Sequence, residues 1–578
     1  MPKIGIEIHQ RLSTHKLFCN CLPIEGEPSL KVERYLHVAY SETGEVDKAA
    51  MFESSKQKKY IYNYFPKSSC LVELDEEPPH EINEEGVIIA LAIALQLNMK
   101  VFDKAVVMRK IVIDGSNTTG FQRTALLAID GNLDGVPIQT LCIEEESAGI
   151  VKEGEGFREF RLDRLGIPLV EIATAPVITS GKEAKDVAEK LGILMRATGG
   201  VARGIGTIRQ DLNVSIEGGA RVEIKGAQEL NMIPKWIDNE VKRQKSLLDV
   251  IKRLKERQAY SKLKYQVFDV SECFEPKGFV KKALEKGKAY LLPLPSHKGL
   301  LGKEIGPNRR YGTELSDYAK QAGVKGIIHS DEDLTKYGLD DKCLRKRVGL
   351  SKEDGYAIVI EREEIAEKAL KLLFQRAKMD FVPKETRKAL PNGSTAYMRP
   401  LPTSARMYPE TDVPLVDLKE LVKRAEPIAK KGYAFKLQRL KSLLNEELSK
   451  RMIKSKYLTL FESLVEEGIN PKIVAITLED TLTSLRRERV DVKMESVTKA
   501  LRAYREGIIT KAAIREVIRR DSEGKDWNEL KRIRKEEIYE MLKKGKDPKA
   551  IIKEFKLKVE PKEVFELAKT FKHSTQNQ

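Results

Sequence analysis

No stretch of this 578-residue chain is apolar for long enough to cross a bilayer. The longest such run, Val87 to Leu95, covers about half of the roughly 20 residues that a spanning helix needs, so it predicts a core helix and no membrane partner. A charged-then-apolar leader is also missing. The first residues enter a strand pattern at once (Ile4, Ile6, Ile8), and the expected location is the cytoplasm. Cysteine is scarce: six in so long a chain exclude a disulfide framework, and ordinary reduced thiols are expected. Cys19-Asn-Cys21 could give two thiolates to zinc, but no second CxxC pair follows, and Cys70 with scattered histidines would have to complete the set. The G-x-x-x-x-G-K-[ST] pattern of a P-loop is absent, as are G-x-S-x-G, H-E-x-x-H and EF-hand patterns. No fixed-period repeat or low-complexity tract is present.

What the chain has in abundance is charge. Lys and Arg number 103 against 87 acids, giving a net +16 and a pI near 9.2, a surplus that favours a polyanionic partner. The density of Lys, Glu and Arg also suits a thermophile. Length alone predicts about three or four domains. Up to about Tyr260 the pattern is mixed α+β, with strand-like runs at Lys104 to Asp114, Gly135 to Glu144, Phe157 to Asp163 and Leu169 to Ala173, and helices near Asn83 to Asn98 and Gly181 to Ala197. From about Leu263 to Lys378 a Gly- and Pro-rich alternation begins anew, as in a separate module. A proline-punctuated passage, Thr386 to Pro414, follows. From Val416 onward the sequence is helical, periodic and basic, and Lys546-Asp547-Pro548 ends one helix and starts the next.

The chemistry concentrates on strands. Between Arg203 and Lys225, Leu212, Val214 and Ile216 alternate with Asp211, Asn213 and Ser215, and beyond Gly218-Gly219 Val222 and Ile224 alternate with Arg221, Glu223 and Lys225. A two-residue loop would mix the faces, so a hairpin here needs an odd loop of three or five residues, which sets Asp211, Asn213 and Ser215 opposite Lys225, Glu223 and Arg221. That face is either a working surface or a solvated one with charges paired across strands. Upstream, the turn from Arg203 to Arg209 offers glycine-loosened amides beside two guanidinium groups, a way to hold phosphate. In Ile4-Gly-Ile-Glu-Ile-His9, Glu7 and His9 share the face opposite the isoleucines, and a carboxylate beside an imidazole can bind a divalent ion or relay a proton. Glu144-Glu145-Glu146 ends a predicted strand. Glu171 interrupts the apolar run Pro168 to Ala173, where a carboxylate must be metal-bound or paired, for instance with Arg161 or Arg164. Asp114 to Gly120 is a polar turn that caps a helix or lines a pocket.

Six segments together carry a resemblance: Gly5 to Leu12, Lys16 to Cys19, Leu71 to Pro79, Asp114 to Thr124, Leu162 to Thr174 and Arg203 to Lys225 closely resemble the GatB/GatE family. Leu301 to Tyr318 looks like the insertion, similar to the extra domain of bacterial-type aspartyl-tRNA synthetases, that marks the GatE branch. The resemblance runs through Arg406 to Pro414 into the helical C-terminus and beyond about Ser522 holds only in character. It implies an α+β multidomain protein: a cradle-shaped, kinase-like mixed α/β domain (1–262, returning at 384–415), an inserted synthetase-like (GAD) α+β domain (263–383), an all-α helical domain (416–521) and a YqeY-like helical tail (522–578). It further implies an amidotransferase, a carbon–nitrogen ligase. In the chemistry this resemblance implies, ATP and Mg²⁺ would serve to phosphorylate the γ-carboxylate of glutamate on tRNA(Gln), and ammonia would then displace phosphate. By motif position, Glu7, His9 and Glu171 resemble the catalytic set, and His9, one of Glu144 and Glu145, and Glu171 the metal set, with manganese an alternative at His9. Arg203, Thr207, Arg209, Asp211, Asn213 and Lys225 resemble the nucleotide-facing positions, Arg209 and Lys225 toward phosphates and Asp211 toward metal or ribose. Glu144-Glu-Glu-Ser-Ala148 departs from the family's Glu-Glu-Asp-Ala, which leaves open which glutamate is the ligand. The chain has neither an amidase Ser-Ser-Lys signature nor an asparaginase-like Thr and Lys set, so the resemblance implies an asparaginase-like GatD partner, assembled as a dimer of heterodimers. The basic C-terminal helices, with Arg486, Arg487, Arg489, Arg519, Arg520, Lys531, Arg532 and Arg534, would grip tRNA phosphates. A non-catalytic tRNA-binding scaffold is the alternative, and an enzyme that also accepts Asp-tRNA(Asn) a third.

Overall fold

A computed structural model describes residues 1–38, 44–55, 57–154, 156–275, 278–402 and 407–576; Arg406, which opens the Arg406 to Pro414 motif, lies outside them. The fold is mixed α+β, and the chain divides into two compact units, Met1–Gly432 and Tyr433–Gln578. Among the described residues no helix is long and apolar enough to cross a membrane.

An eleven-stranded sheet dominates the N-terminal unit. Its strands are β1 (Lys3–Arg11), β2 (Val107–Ile111), β3 (Phe121–Leu133), β4 (Val136–Glu145), β5 (Pro168–Thr174), β6 (Ile208–Ser215), β7 (Val222–Lys225), β8 (Glu385–Ala389), β9 (Thr395–Pro400) and β10 (Met407–Pro409), in the order β9-β8-β7-β6-β1-β5-β4-β3-β2-β10, with the short strand Lys100–Val101 beside β3. All pairs are antiparallel except β7 with β8. The alternating isoleucines of β1 are buried on one face, against Val170, Ile172, Leu212 and Val214 of the neighbouring strands. Three helices cover that face: α1 (Glu84–Gln96) lies on β3 and β4, α2 (Gly181–Ala197) on β1, and α3 (Ile233–Glu256) on β6. The apolar run Val87 to Leu95 is thus a core helix, started by Asn83, whose side chain accepts from Gly86 N–H. Ser180 caps α2 in the same way.

The predicted hairpin register is observed: Leu212 faces Ile224, Asn213 faces Glu223 and Val214 faces Val222. The chain reverses through a turn closed by Gly219 N–H to Ile216 C=O, with Gly218 at φ 72°.

Residues 263–382 form a four-stranded sheet with helices, including α4 (Glu363–Ala377). The C-terminal half of α3 packs into its core through Leu247, Val250, Ile251 and Leu254, so one helix serves both sheets. Within this region Cys273 and Cys343 form a disulfide, a correction to the expectation of reduced thiols throughout. Seventy residues separate them in sequence, and only the packing of the Ser271–Cys273 turn against the helix Asp341–Val348 brings them together. After the sheet's last strand, helix α5 (Lys419–Lys430) packs on α1.

The described residues of the C-terminal unit are helical and without strands. Pro548 stands in the first turn of its helix, as the sequence predicts, and Asp547 caps that helix by accepting from Lys549 and Ala550 N–H. A separate small core near the end holds Ile538, Leu542, Ile551, Val559 and Val564.

Candidate active site

The face of the large sheet turned away from its helices is charged. Because β1 is central, with β5 on one side and β6 on the other, the period of two aligns its polar residues with theirs: His9 pairs with Glu171 and Arg209, Glu7 with Ala173 and Asp211. His9 Nε2 lies 3.2 Å from Glu171, 3.4 Å from Glu7 and 3.5 Å from Glu144. Lys110 on β2 reaches the same group, donating to Glu144 at 2.6 Å and lying 3.4 Å from Glu171. On the other flank Lys225 donates to Asp211 at 2.7 Å and stands 3.2 Å from Glu223. Glu171 therefore satisfies its buried charge with His9 and Lys110. Neither arginine adjacent in sequence serves it, since Arg161 binds Asp163 and Arg164 binds Glu146.

Electrostatics follow from this crowding. Burial, reinforced by Glu171, pushes the Glu7 carboxyl up to about 7. Burial opposes the charging of His9, but its hydrogen bond to Glu171 and the charges of Glu171, Glu144 and Glu7 outweigh it and raise the imidazole to about 9. Glu171 is half-buried and loses much of its hydration, yet Lys110 and His9 hold it well below the usual carboxylate range, and Lys225 holds the buried Asp211 below its ordinary value against a similar cost. Two overlapping three-donor sets meet at His9: one with Glu144 and Glu171, the other with Glu7 and Asp211. A carboxylate-rich set with a single imidazole suits Mg²⁺ or Mn²⁺.

The structure places Glu144 in this group and turns Glu145 to the opposite face, as neighbours on a strand must be. Glu145 is buried there, accepting from Arg123 N–H with the Arg123 guanidinium 3.5 Å away. Arg209, Asp211 and Lys225 line the same cleft as His9, whereas Arg203, Thr207 and Asn213 are not among its lining residues. Arg203 is exposed in the turn, and Thr207 donates to Gly204 C=O at 2.9 Å. Gly204 and Gly206 take φ of 124° and 80°, which is why the turn needs glycine. Asp114 and Ser116 line the cleft, so that polar turn is part of the wall rather than a cap. The cleft has a volume of about 1970 Å³.

Two features escape a reading of the sequence. Lys110 carries only the signal of alternating with Val107 and Ile111, and nothing local says that β2 lies three strands from β5. Glu146, fully buried, gathers Arg11, Arg164 and Arg209, which fixes the guanidinium of Arg209 3.0 Å from a carboxylate oxygen. Burial works against its charge, but the three arginines together hold the Glu146 carboxyl below its ordinary value.

Elsewhere in this unit Cys19, Cys21, Cys70 and Glu73 bring their ligand atoms within 4.8 Å of one another. Cys19 donates to Glu73 at 3.0 Å, and a hydrogen bond from Cys19 draws the Cys70 thiol down to about 7. Three sulfurs and a carboxylate are a donor set that could hold zinc. Glu73, rather than a histidine, is the fourth donor.

In the C-terminal unit some of the basic residues singled out above have side-chain partners and others stand exposed. Arg519 and Arg520 pair with Glu516, and Arg532 with Glu563; Arg486 bonds Tyr457. Arg487, Arg489, Lys531 and Arg534 are exposed.

Residues 2–423 match a family described as the GatB/GatE catalytic domain. The chain is 45% identical over 573 residues to the GatE subunit of the glutamyl-tRNA(Gln) amidotransferase of Methanocaldococcus jannaschii, an alignment covering 93% of this chain and 90% of that one. It is 43% identical over 542 residues to the GatE subunit of Methanococcus vannielii and 44% identical over 546 residues to that of Saccharolobus islandicus, each covering 89% of this chain and 85% of the relative.

Proposed function

The chain belongs to the GatB/GatE family, and from that membership and the geometry of the cleft we propose that it is the subunit of a glutamyl-tRNA(Gln) amidotransferase that activates and amidates glutamate carried on tRNA(Gln). The observation that carries this reading is the convergence of His9 with three carboxylates within 3.5 Å on the floor of a cleft of about 1970 Å³. Small-molecule sites run to roughly 1000 Å³, so the cleft has room for a nucleotide and the aminoacylated end of an RNA together.

ATP and the glutamyl γ-carboxylate are the reactants of the first step: a carboxylate oxygen bonds to the γ-phosphorus as the bond to the β-phosphate oxygen breaks, giving ADP and an acyl phosphate. Arg209 and Lys225 receive phosphate oxygens. Each is held by a buried acid, Glu146 and Asp211 respectively, so neither must be ordered when the nucleotide arrives. The donor set fits a divalent ion, with His9, Glu144 and Glu171 as holders and Glu7 and Asp211 beside them. When bound, such an ion offsets phosphate charge and orients the phosphate oxygens. Lys110 spaces Glu144 and Glu171 and offsets their mutual repulsion. In the second step ammonia bonds to the acyl carbon, loses a proton, and phosphate leaves, yielding Gln-tRNA(Gln). Ammonia comes from a partner in this reading, the asparaginase-like GatD.

The test uses the full chain with Glu-tRNA(Gln), Mg-ATP and a high concentration of ammonium, following ADP and the amino acid on the tRNA. Glutamine formed only with ATP supports the proposal. Bound tRNA with neither ADP nor glutamine, still so when GatD is added, refutes it in favour of a scaffold.

A further inference from the structure

The polar turn Asp114 to Gly120 lines the cleft through Asp114 and Ser116, yet it belongs neither to the metal group nor to the phosphate-holding pair. Its entry is held from outside at four successive carbonyls. Ile113 C=O accepts from the Tyr60 hydroxyl at 2.8 Å, Asp114 C=O from Arg158 Nη1 at 3.1 Å, Gly115 C=O from the Tyr62 hydroxyl at 2.8 Å and Ser116 C=O from Ala148 N–H at 2.8 Å. The two tyrosines are buried and come from the strand Lys59–Tyr64 of a second, four-stranded sheet. A Cβ on Gly115 would meet the Tyr60 ring, so the clamp requires glycine there. Inside the turn, Asp114 Oδ1 accepts from Ser116 N–H at 3.0 Å and from the Ser116 hydroxyl at 2.6 Å. The carboxylate is thereby fixed through one oxygen. The other, Oδ2, has no hydrogen bond or ion pair among the described residues.

This sets Asp114 apart from most acids of the lining. Glu7 stands beside His9, Glu144 beside Lys110, Glu153 beside Lys58 and Arg158, and both Asp211 and Glu223 beside Lys225, while Glu53 is engaged as well. Glu361, on the inserted module, is the other acid of the lining without an ion pair among the described residues, and it accepts from Arg362 N–H. A carboxylate locked in place without a cation costs stability, and a ligand that brings the cation offsets that cost. A metal ion does not fit the position, since Asp114 joins no group of three donor side chains among the described residues. Of the reactants, ATP and the γ-carboxylate are anionic, and the α-ammonium of the aminoacyl ester is cationic. The order of strands agrees with that ligand. Arg209 on β6 and Lys225 on β7 lie on one flank of β1, whereas Asp114 follows β2 on the other, with Glu171 and Glu144 on the strands between.

We infer that Asp114 takes the α-ammonium of the glutamyl group and so turns its γ-carboxylate toward the floor at His9; the inference rests on the amidation reading above. Nucleotide and amino acid then reach the floor from opposite flanks. Asp114 is a specificity-determining residue, admitting a free aminoacyl ester and rejecting one whose amine is acylated.

The experiment uses the full chain with GatD and compares Glu-tRNA(Gln) with N-acetyl-Glu-tRNA(Gln), whose amine carries no charge, for the wild type, D114N and E361Q. Asparagine keeps the oxygen that Ser116 holds and removes the charge, and thermal unfolding checks that each variant folds. In kcat/KM the wild type should use the acetylated substrate roughly 10- to 100-fold less well, the worth of a charge-assisted hydrogen bond. D114N should lose a similar factor on Glu-tRNA(Gln) and treat the two substrates within about threefold of each other. E361Q, the same charge change elsewhere on the lining, should keep the wild-type ratio, and KM for ATP should hold in both variants. A folded D114N that retains the wild-type ratio overturns the inference, as does a wild type that does not discriminate. A loss in D114N confined to KM for ATP also overturns it, assigning Asp114 to ribose hydroxyls. Equilibrium binding of the charged and acetylated tRNAs separates this inference from the reading beneath it. If no glutamine forms with ATP and GatD while the wild type still prefers the free amine and D114N does not, the amidation reading fails and the ammonium site stands.

Discussion

Glu314→Gln should loosen the N-terminal unit by about 3 kcal/mol, the lower end of the cost of stripping one partner from a buried ion pair. Glu314 is fully buried and sits 2.7 Å from Arg243, 3.2 Å from Arg387 and 3.5 Å from Arg376. Glu240 and Glu385 complete the group, so three buried arginines face three buried glutamates. The amide preserves shape and some hydrogen bonding but leaves one positive charge without its counterpart in a region where water cannot answer it. Burial opposes the charge of Glu314, and the surrounding arginines, Arg243 foremost, outweigh it and hold the carboxyl well below its ordinary value. A depressed carboxylate contributes stability above its unfolded value near 4.5 and loses it as pH falls through the folded one, so the variant should also show a flatter acid limb. Trp236 reports this unit well: its indole N–H donates to Leu390 C=O, and Glu240 lies one turn further along α3. In a Trp527→Phe background, urea unfolding followed by Trp236 fluorescence reads the effect without signal from the C-terminal unit. Adding Arg376→Met removes the surplus charge, and the double variant should be more stable than the sum of the two losses implies. A loss below about 1 kcal/mol, or strict additivity, would refute the claim that the network is charge-balanced and dry.

Three further outcomes are expected. Glu171→Ala should abolish ATP-dependent amidation while tRNA affinity, measured by filter binding, stays within about twofold, since a change of about 0.4 kcal/mol is little more than noise; intact turnover would remove Glu171 from the chemistry. Lys225→Met should raise KM for ATP by roughly 10- to 100-fold, the worth of a charge-assisted hydrogen bond, with tRNA binding untouched. His297 is buried, its Nδ1–H donating to Pro295 C=O and its Nε2 without a partner among the described residues, and burial lowers it to about 4. The unfolded chain takes up that proton near 6.5, so stability should fall by about 3 kcal/mol in all as pH drops from 6.5 to 4, at about 1.4 kcal/mol per unit, and His297→Asn should flatten that slope.

Local rules made much of the site legible. Strand alternation paired Glu7 with His9 and fixed Asp211 opposite Lys225, because a slip of one residue would have exposed Leu212 and Val214. The helices expected near Asn83 to Asn98 and Gly181 to Ala197 are α1 and α2, which Asn83 and Ser180 cap in the structure. Strand order lay beyond such rules. That β1 sits between β5 and β6, that Lys110 arrives from β2, and that Glu145 leaves the cluster Glu144 joins all depend on how distant strands pair. The same holds for Cys70 and Glu73 beside Cys19, and for the Cys273–Cys343 disulfide. Charge runs are ambiguous in a different way, since composition cannot tell Arg519, bound to its own helix neighbour Glu516, from Lys368, which has no ion-pair partner among the described residues.

The closing of the large sheet also sets a timetable for its making. Both of its borders are late pieces: β8 and β9 flank β7 on one side, β10 flanks β2 on the other, and all three come from Glu385–Pro409. A ribosome that has just released Lys225 must add about 160 residues before Glu385 emerges, some 8 to 30 seconds at ordinary elongation rates. Throughout that interval β7 offers an open row of backbone donors and acceptors to any nascent strand nearby. The inserted module has time to fold first, and the long helix α3, which packs on both sheets, is in place as a spine before the large sheet is sealed. A nascent chain stalled before Glu385 should therefore be the form most prone to aggregate, and one stalled well past Pro409 should be protected from it.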